Sequence, residues 1–249
     1  MFYWRHQVDP PQPGQRGVDW GFTSASGGRA DVAADYGAFN LGGHVGDDPQ
    51  SVEDNRRDLA AAIGVPREHL LFMTQVHGAT VVRVDEPWQG DPPDADGIVT
   101  TNPELALAVL VADCVPLLLA DVETGVIGAV HAGRPGMTGG IVTRALEVMA
   151  EAGAERIEAA VGPSVCGRCY EVPEEMRAEA AGVSPVSATV SWTGTPAIDI
   201  AAGVVDQLHA AGVAVTWIPG CTRETDRLYS YRRRPTTGRF AGVVRRWAV

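Results

Sequence analysis

The chain contains no lysine, so every fixed side-chain cation is an arginine. That excludes the lysine of a Walker A phosphate loop and any lysine Schiff base. Cysteine is sparse. Four residues cannot staple 249 residues as a disulfide framework, so they read as ligands, nucleophiles or buried small apolar side chains. Long apolar runs are missing too: residues 105–120 are interrupted by Asp113 and Pro116 and are too short to cross a bilayer, which makes them buried strand. The opening MFYWRHQVDPPQPGQ lacks a basic stretch followed by an apolar one, which predicts a cytoplasmic protein without a secretory signal. Positive charge is in deficit. A formal charge of −11 argues against nucleic acid or an anionic membrane as partner, with Arg232-Arg233-Arg234 as a local exception. Nothing in the chain calls for an obligate protein partner.

The 45% hydrophobic content suits one globular domain over residues 1–249, with 1–17 as an N-terminal strand and loop extension. Residues 10–17 and 86–93 are Pro/Gly-rich loops within it. Ser51, the acids that follow it and Gly64 mark the start and stop of a helix; further helices are expected over 138–151, 173–181 and 197–210. Short β-rich runs lie at 70–73, 80–84, 105–111, 116–120, 126–130, 157–161 and 213–217. Their interleaving predicts an α/β fold, layered around mixed sheets.

The stretch ADCVPLLLADVETGVIGAVHAGRPG, residues 112–136, reads as an antiparallel hairpin turning near Val122 or Glu123. Such a turn places Cys114 opposite His131 on one sheet face, with Cβ atoms roughly 4.5–5.5 Å apart. The pair suits either a thiolate–imidazolium nucleophile or two ligands of a transition metal. His77, at a strand end in LLFMTQVHGATVV, completes a Cys/His/His set that leaves the fourth position of a tetrahedral Zn²⁺ open. Asp113 is a candidate orienting or proton-transfer group beside the cysteine.

Other motifs are weaker. Cys166-Gly-Arg-Cys169 is a CxxC with no second copy and reads as structural or incidental. The H-x-E of zinc deaminases and the H-E-x-x-H of metalloproteases are absent. The glycine-dense FNLGGHVGDD, residues 39–48, offers Asn40 and His44 to a pocket. In CTRETDRLYSYRRRPTTGRF, arginines alternate with Tyr229 and Tyr231; Arg232 and Arg233, more than Arg234, are candidates to fork a phosphate or carboxylate.

Taken in order, NLGGHVGDDP, TQVHGA, ADG, ADCVPLLLAD, VHAG, GPSVCGRCYEV, YSYRR and TGR resemble the YfiH-like family, first labelled polyphenol oxidase or laccase-domain proteins. The resemblance runs from about Phe22 to Arg239. It implies a single-domain α/β/β/α fold, one zinc per chain on His77, Cys114 and His131, and a purine nucleoside phosphorylase acting on adenosine, inosine, guanosine or methylthioadenosine. Adenosine deamination is implied as a further activity. Two stretches depart from the family pattern: His131-Ala-Gly-Arg-Pro-Gly136 replaces the common HAGWRG, and Ala25-Ser26-Gly27-Gly28 lacks an arginine before its paired glycines.

The expected protein is therefore a zinc-dependent phosphorylase that takes a small purine nucleoside and phosphate to free base and ribose 1-phosphate. Cys114 and Asp113 are its catalytic candidates, and Asn40, His44, Gln75, Arg232 and Arg233 its substrate contacts. The competing readings are a metal-free hydrolase with Cys114 as nucleophile and His131 as base, and a non-enzymatic binding module clipped by zinc. A copper oxidase is disfavoured, because a multicopper centre consumes more histidines than the six present can supply.

Overall fold

The computed structural model describes residues 1–10, 12, 17–27 and 35–247. Its strands are β1 (Phe2–Val8), β2 (Gly17–Thr23), β3 (Leu70–Leu71), β4 (Val81–Arg83), β5 (Gly97–Thr100), β6 (Ala106–Val111), β7 (Val115–Ala120), β8 (Ile127–Ala132), β9 (Glu158–Val161), β10 (Ala188–Val190), β11 (Pro196–Ile198), β12 (Ala214–Trp217) and β13 (Phe240–Trp247). Its α-helices are α1 (Pro49–Ile63), α2 (Arg134–Thr138), α3 (Ile141–Glu151), α4 (Glu174–Val183) and α5 (Ile200–Ala210).

Two mixed sheets carry the fold, one in the order β1-β2-β13-β6-β3 and the other β12-β9-β7-β8-β5-β4, with β10 and β11 forming a small separate pair. The sheets stack, and helices cover their outer faces, giving α/β/β/α layers. Alternate side chains along each strand explain this. Leu107 and Val109 of β6 meet Phe22, Leu118, Ala129 and Phe240 between the sheets, while Ala106, Ala108 and Leu110 face Leu59, Ala60 and Ile63 of α1. On β7, Leu118 points between the sheets, and Leu117 and Leu119 pack with Ile141, Met149, Val204 and Leu208 of α3 and α5. A strand buried on both faces reads as a continuous apolar run, which is why these strands stand out in the sequence. Each fully buried leucine contributes about 2 kcal/mol to this core. No helix among the described residues is long and apolar enough to cross a membrane.

Several boundaries differ from expectation. Helix α1 begins at Pro49, not after Ser51, because the Asp48 carboxylate accepts from the Ser51 N–H and hydroxyl; Gly64, at φ 72, closes it as expected. The helix expected over 138–151 starts at Ile141, and Gly139-Gly140 separate it from the short α2, which the sequence did not suggest. Helix α5 starts at Ile200 because Asp199 caps it and the preceding residues form β11. Strands β2, β5, β10, β11 and β13 carry no clear apolar run and escape a sequence reading, although β13 lies at the centre of its sheet. Residues 11 and 13–16 of the expected loop 10–17, and Gly28, lie outside the described residues.

The β7–β8 hairpin forms, but in a different register. Pro116 pairs with His131 and Val115 with Ala132, so Cys114 is not directly opposite His131. The loop 121–126 is centred further along than Val122, held by Asp121 Oδ1 accepting from the Glu123 and Thr124 N–H groups and by Gly125 at φ 77. The displacement is an even number of residues, and an even displacement keeps a side chain on its face. Cys114 and His131 therefore still meet, as diagonal neighbours.

Candidate metal centre

Three chain segments supply the centre. Cys114 sits just before β7, His131 near the end of β8, and His77 in the turn ahead of β4. The Cys114 Sγ and one nitrogen of each histidine lie within 4.8 Å of one another. Sγ is 3.8 Å from His77 Nε2, and the two imidazole rings meet edge to face with centroids 4.7 Å apart.

Asp96, just before β5 and fully buried, organises this cluster. Its Oδ1 accepts from His131 Nδ1–H at 2.7 Å, which fixes the tautomer and turns Nε2 toward Cys114. The same carboxylate accepts the backbone N–H groups of Val76, His77 and Gly78 at 3.3, 2.9 and 2.6 Å. These bonds hold His77 at φ 60, a left-handed conformation that a non-glycine residue keeps only when its surroundings impose it. Sequence reasoning did not single out Asp96. Its only trace was the short ADG motif.

Gly133 provides the space. A Cβ there would stand 2.9 Å from His77 Cδ2 and 3.3 Å from Cys114 Sγ, although its φ of −76 suits any residue. Gly133→Ala should therefore fold normally and lose metal affinity by on the order of 10-fold, measured by competition with a chromophoric chelator. Unchanged affinity would show that the three donors do not converge on one ion.

The electrostatics are those of a charged pair. Burial would push the Cys114 thiol up, but the His131 charge and hydrogen bonds from His131 and His77 bring it down to about 6. Burial would favour neutral His131, but the Cys114 thiolate and Asp96 raise it to about 9. Burial also opposes ionisation of Asp96, and the bonds from His131, Gly78 and His77 outweigh it, holding the carboxyl below its usual value. In metal-stripped protein, alkylation of Cys114 should run at its plateau rate above pH 6 and slow below it. A plateau reached only near the pH of an ordinary thiol would remove the pair.

The donors open onto a cavity of about 650 Å³. Of the residues expected at a site, His44, Gln75, Asp113 and Arg232 line it together with the three donors; Asn40 and Arg233 do not. Burial, then the charges of Arg239 and Arg56, lower the His44 pKa and favour its neutral form. Gln75 is clamped to the Leu110 backbone, donating from Nε2 at 2.7 Å and accepting on Oε1 at 2.8 Å. Asp113, at φ 95, turns its carboxylate to the Thr222 hydroxyl and the Arg232 N–H, both at 2.6 Å. Asn40 is fully buried and spends its amide on Gly42, Asp47 and the Arg239 N–H. The Arg233 guanidinium donates to the carbonyls of Thr222, Arg223, Thr225 and Leu228, which organises that loop.

Arg232 behaves differently from its neighbour. Its guanidinium stacks over Tyr170, 4.6 Å from the ring centroid, and has no hydrogen-bond partner among the described residues. Arg239, Arg134 and Tyr231 complete the polar wall; Tyr231 stood out in the sequence beside the arginines, whereas neither Arg134 nor Arg239 was among the expected substrate contacts. In the divergent RPG stretch, Arg134 opens α2 and pairs with Glu179 at 3.0 Å.

Residues 19–246 match the family described as Multi-copper polyphenol oxidoreductase laccase. The chain is 53% identical over 232 residues to the protein named Purine nucleoside phosphorylase SCO2081 from Streptomyces coelicolor, covering 92% of this chain and 95% of that one. The fold is similar to the crystal structure of YlmD from Geobacillus stearothermophilus, with a TM-score of 0.85 at 29% identity over 95% of this chain and 98% of that one. The Bacillus licheniformis protein YfiH shares the fold at a TM-score of 0.83 and 24% identity, covering 96% and 98% of the two chains.

Proposed function

Because the chain belongs to the family described as Multi-copper polyphenol oxidoreductase laccase, of YfiH-like fold, we propose that it is a purine nucleoside phosphorylase whose centre takes zinc. The observation that carries this reading is the convergence of His77, Cys114 and His131 on one wall of a cavity whose other wall holds Arg232, Arg239 and two tyrosines.

The donors fit zinc. One thiolate and two imidazoles within mutual reach leave a fourth position open, and the missing Cβ of Gly133 keeps the space between them clear. Bound there, zinc supplies a Lewis acid for an oxygen of phosphate or water. A multicopper centre is a poorer fit, since His69 bonds the Glu104 carbonyl and His209 lies on α5, leaving too few histidines near the cavity.

The remaining chemistry falls to the protein's own groups. In phosphorolysis a phosphate oxygen attacks the sugar C1′ while the bond to the purine nitrogen breaks. The Arg232 guanidinium, stacked on Tyr170 and without a hydrogen-bond partner among the described residues, is available to fork the phosphate, and Arg239 adds a second positive charge. Tyr170 and Tyr231 offer apolar faces to a purine. Neutral His44 serves as a hydrogen-bond partner rather than a third cation. Asn40, Gln75 and Asp113 act on this reading as fasteners of the walls, since their polar atoms are already engaged.

The test incubates metal-loaded protein with inosine and with adenosine, with and without phosphate. Base release that requires phosphate is expected; release without phosphate, or none from either nucleoside, overturns the reading. Conversion of adenosine to inosine in the same assay reads the deaminase activity that the resemblance implies.

A second reading has its own observation. Cys114, His131 and Asp96 stand in the order nucleophile, base and orienting acid of a cysteine hydrolase. His77 has no place in such a triad, yet three backbone bonds to Asp96 hold it against the thiol. Activity that survives chelation and is lost on alkylation would favour the hydrolase.

A further inference from the structure

The four cysteines divide into two groups. Cys114 belongs to the cavity; Cys166, Cys169 and Cys221 gather elsewhere with Glu224, and the three Sγ atoms and a Glu224 oxygen all lie within 4.8 Å of one another. Two turns create this cluster. In the first, the Cys169 and Tyr170 N–H groups donate to the Cys166 carbonyl at 2.9 and 3.1 Å, which folds the CxxC back on itself. In the second, the Glu224 and Thr225 N–H groups donate to the Cys221 carbonyl at 3.2 and 2.9 Å. A parallel bridge between Ser164 and Cys221 sets the turns face to face, and the Cys166 N–H points at Cys221 Sγ from 3.4 Å. Cys169 is buried, Cys166 and Cys221 partly so, and Glu224 is exposed and able to swing onto the cluster.

We propose that Cys166, Cys169, Cys221 and Glu224 form a second metal site, a closed structural zinc that ties the loop carrying Tyr170 to the segment carrying Thr222. Thiolate-rich sets select zinc among the common divalent ions, and four protein ligands leave no position for substrate, unlike the three-donor centre of the cavity. Tetrahedral Zn²⁺ with Zn–S bonds of about 2.3 Å spaces its sulfurs about 3.8 Å apart, so the three sulfurs need close up by about 1 Å or less. The clip would brace one wall of the cavity. Tyr170, next to Cys169, carries the Arg232 stack, and Thr222, next to Cys221, holds the Asp113 carboxylate.

Metal analysis tests this directly. Protein purified without chelators should hold two zinc ions per chain, and Cys114→Ser should retain one. The Cys166→Ser/Cys169→Ser double variant should lose that ion while keeping the cavity metal. Loaded with Co²⁺, Cys114→Ser should show a near-ultraviolet thiolate-to-cobalt band about three times as intense as the single-thiolate band of the double variant, because the band scales with sulfur ligands. A folded Cys114→Ser protein that holds no metal overturns the proposal even if the double variant fails to fold. So does a disulfide among Cys166, Cys169 and Cys221 in freshly purified, unreduced protein. Neither outcome bears on the phosphorylase reading, which the nucleoside assay decides separately.

Discussion

Cys114→Ala should abolish phosphate-dependent base release, lowering kcat/KM on the order of 1000-fold, while leaving the protein folded. The size follows from what is lost: a bound metal acting as Lewis acid stabilises developing charge by several kcal/mol, and each 1.36 kcal/mol is about tenfold in rate. The thiolate is the only anionic donor of the three, so its removal leaves two imidazoles, His77 exposed and His131 buried, to hold a dication. Zinc content and nucleoside turnover should fall together. Circular dichroism should not change, because Cys114 is only partly buried and precedes β7 rather than packing within it. Full phosphorolysis by the alanine variant would remove the metal from the mechanism.

Asp96→Asn should have the next largest effect, through metal affinity. Every oxygen lone pair that matters here faces a donor: His131 Nδ1–H and the His77 N–H on Oδ1, the Gly78 and Val76 N–H groups on Oδ2. An amide replaces one acceptor with an NH₂ that meets donors head on, at a cost of about 1–3 kcal/mol for each buried group left unpaired. The charge that favours a fixed His131 tautomer is also lost. Changes of this kind beside a metal ligand weaken binding about 10–100-fold. Asp96 touches no substrate in this account and acts by positioning. Saturating zinc should therefore restore much of kcat in the variant, which a purely structural defect would not allow. Wild-type metal affinity in Asp96→Asn would show that the carboxylate does not set the ligand geometry.

The sequence revealed some of this and concealed the rest for identifiable reasons. Strands β6 and β7 were legible because burial on both faces writes continuous apolar runs. β13 was not, since Gly242 interrupts it where Phe22 leaves no room for a side chain, and Arg245 and Arg246 resemble a solvated tail. The meeting of Cys114 and His131 was legible by parity alone: the turn was misplaced, but an even displacement preserved the shared face. Asp96 was hidden, because a carboxylate in a loop shows no partner until the turn at 76–78 folds onto it from 18 to 20 residues away. The CxxC read only as structural or incidental for the same reason. Its third sulfur, Cys221, comes 55 residues after Cys166.

By itself, the order of residues determined the layered α/β class, the short buried strands and the residue types able to hold a metal. Only the tertiary structure decided which of them face one another. Arg232 and Arg233 are adjacent and chemically identical, yet one guanidinium stacks over Tyr170 in the cavity and the other is spent on four loop carbonyls. Hydrophobic periodicity is a local property that any short window carries. A hydrogen bond or a coordination set depends on distances of a few ångströms between segments far apart in the chain, and those distances exist only once the two sheets have packed.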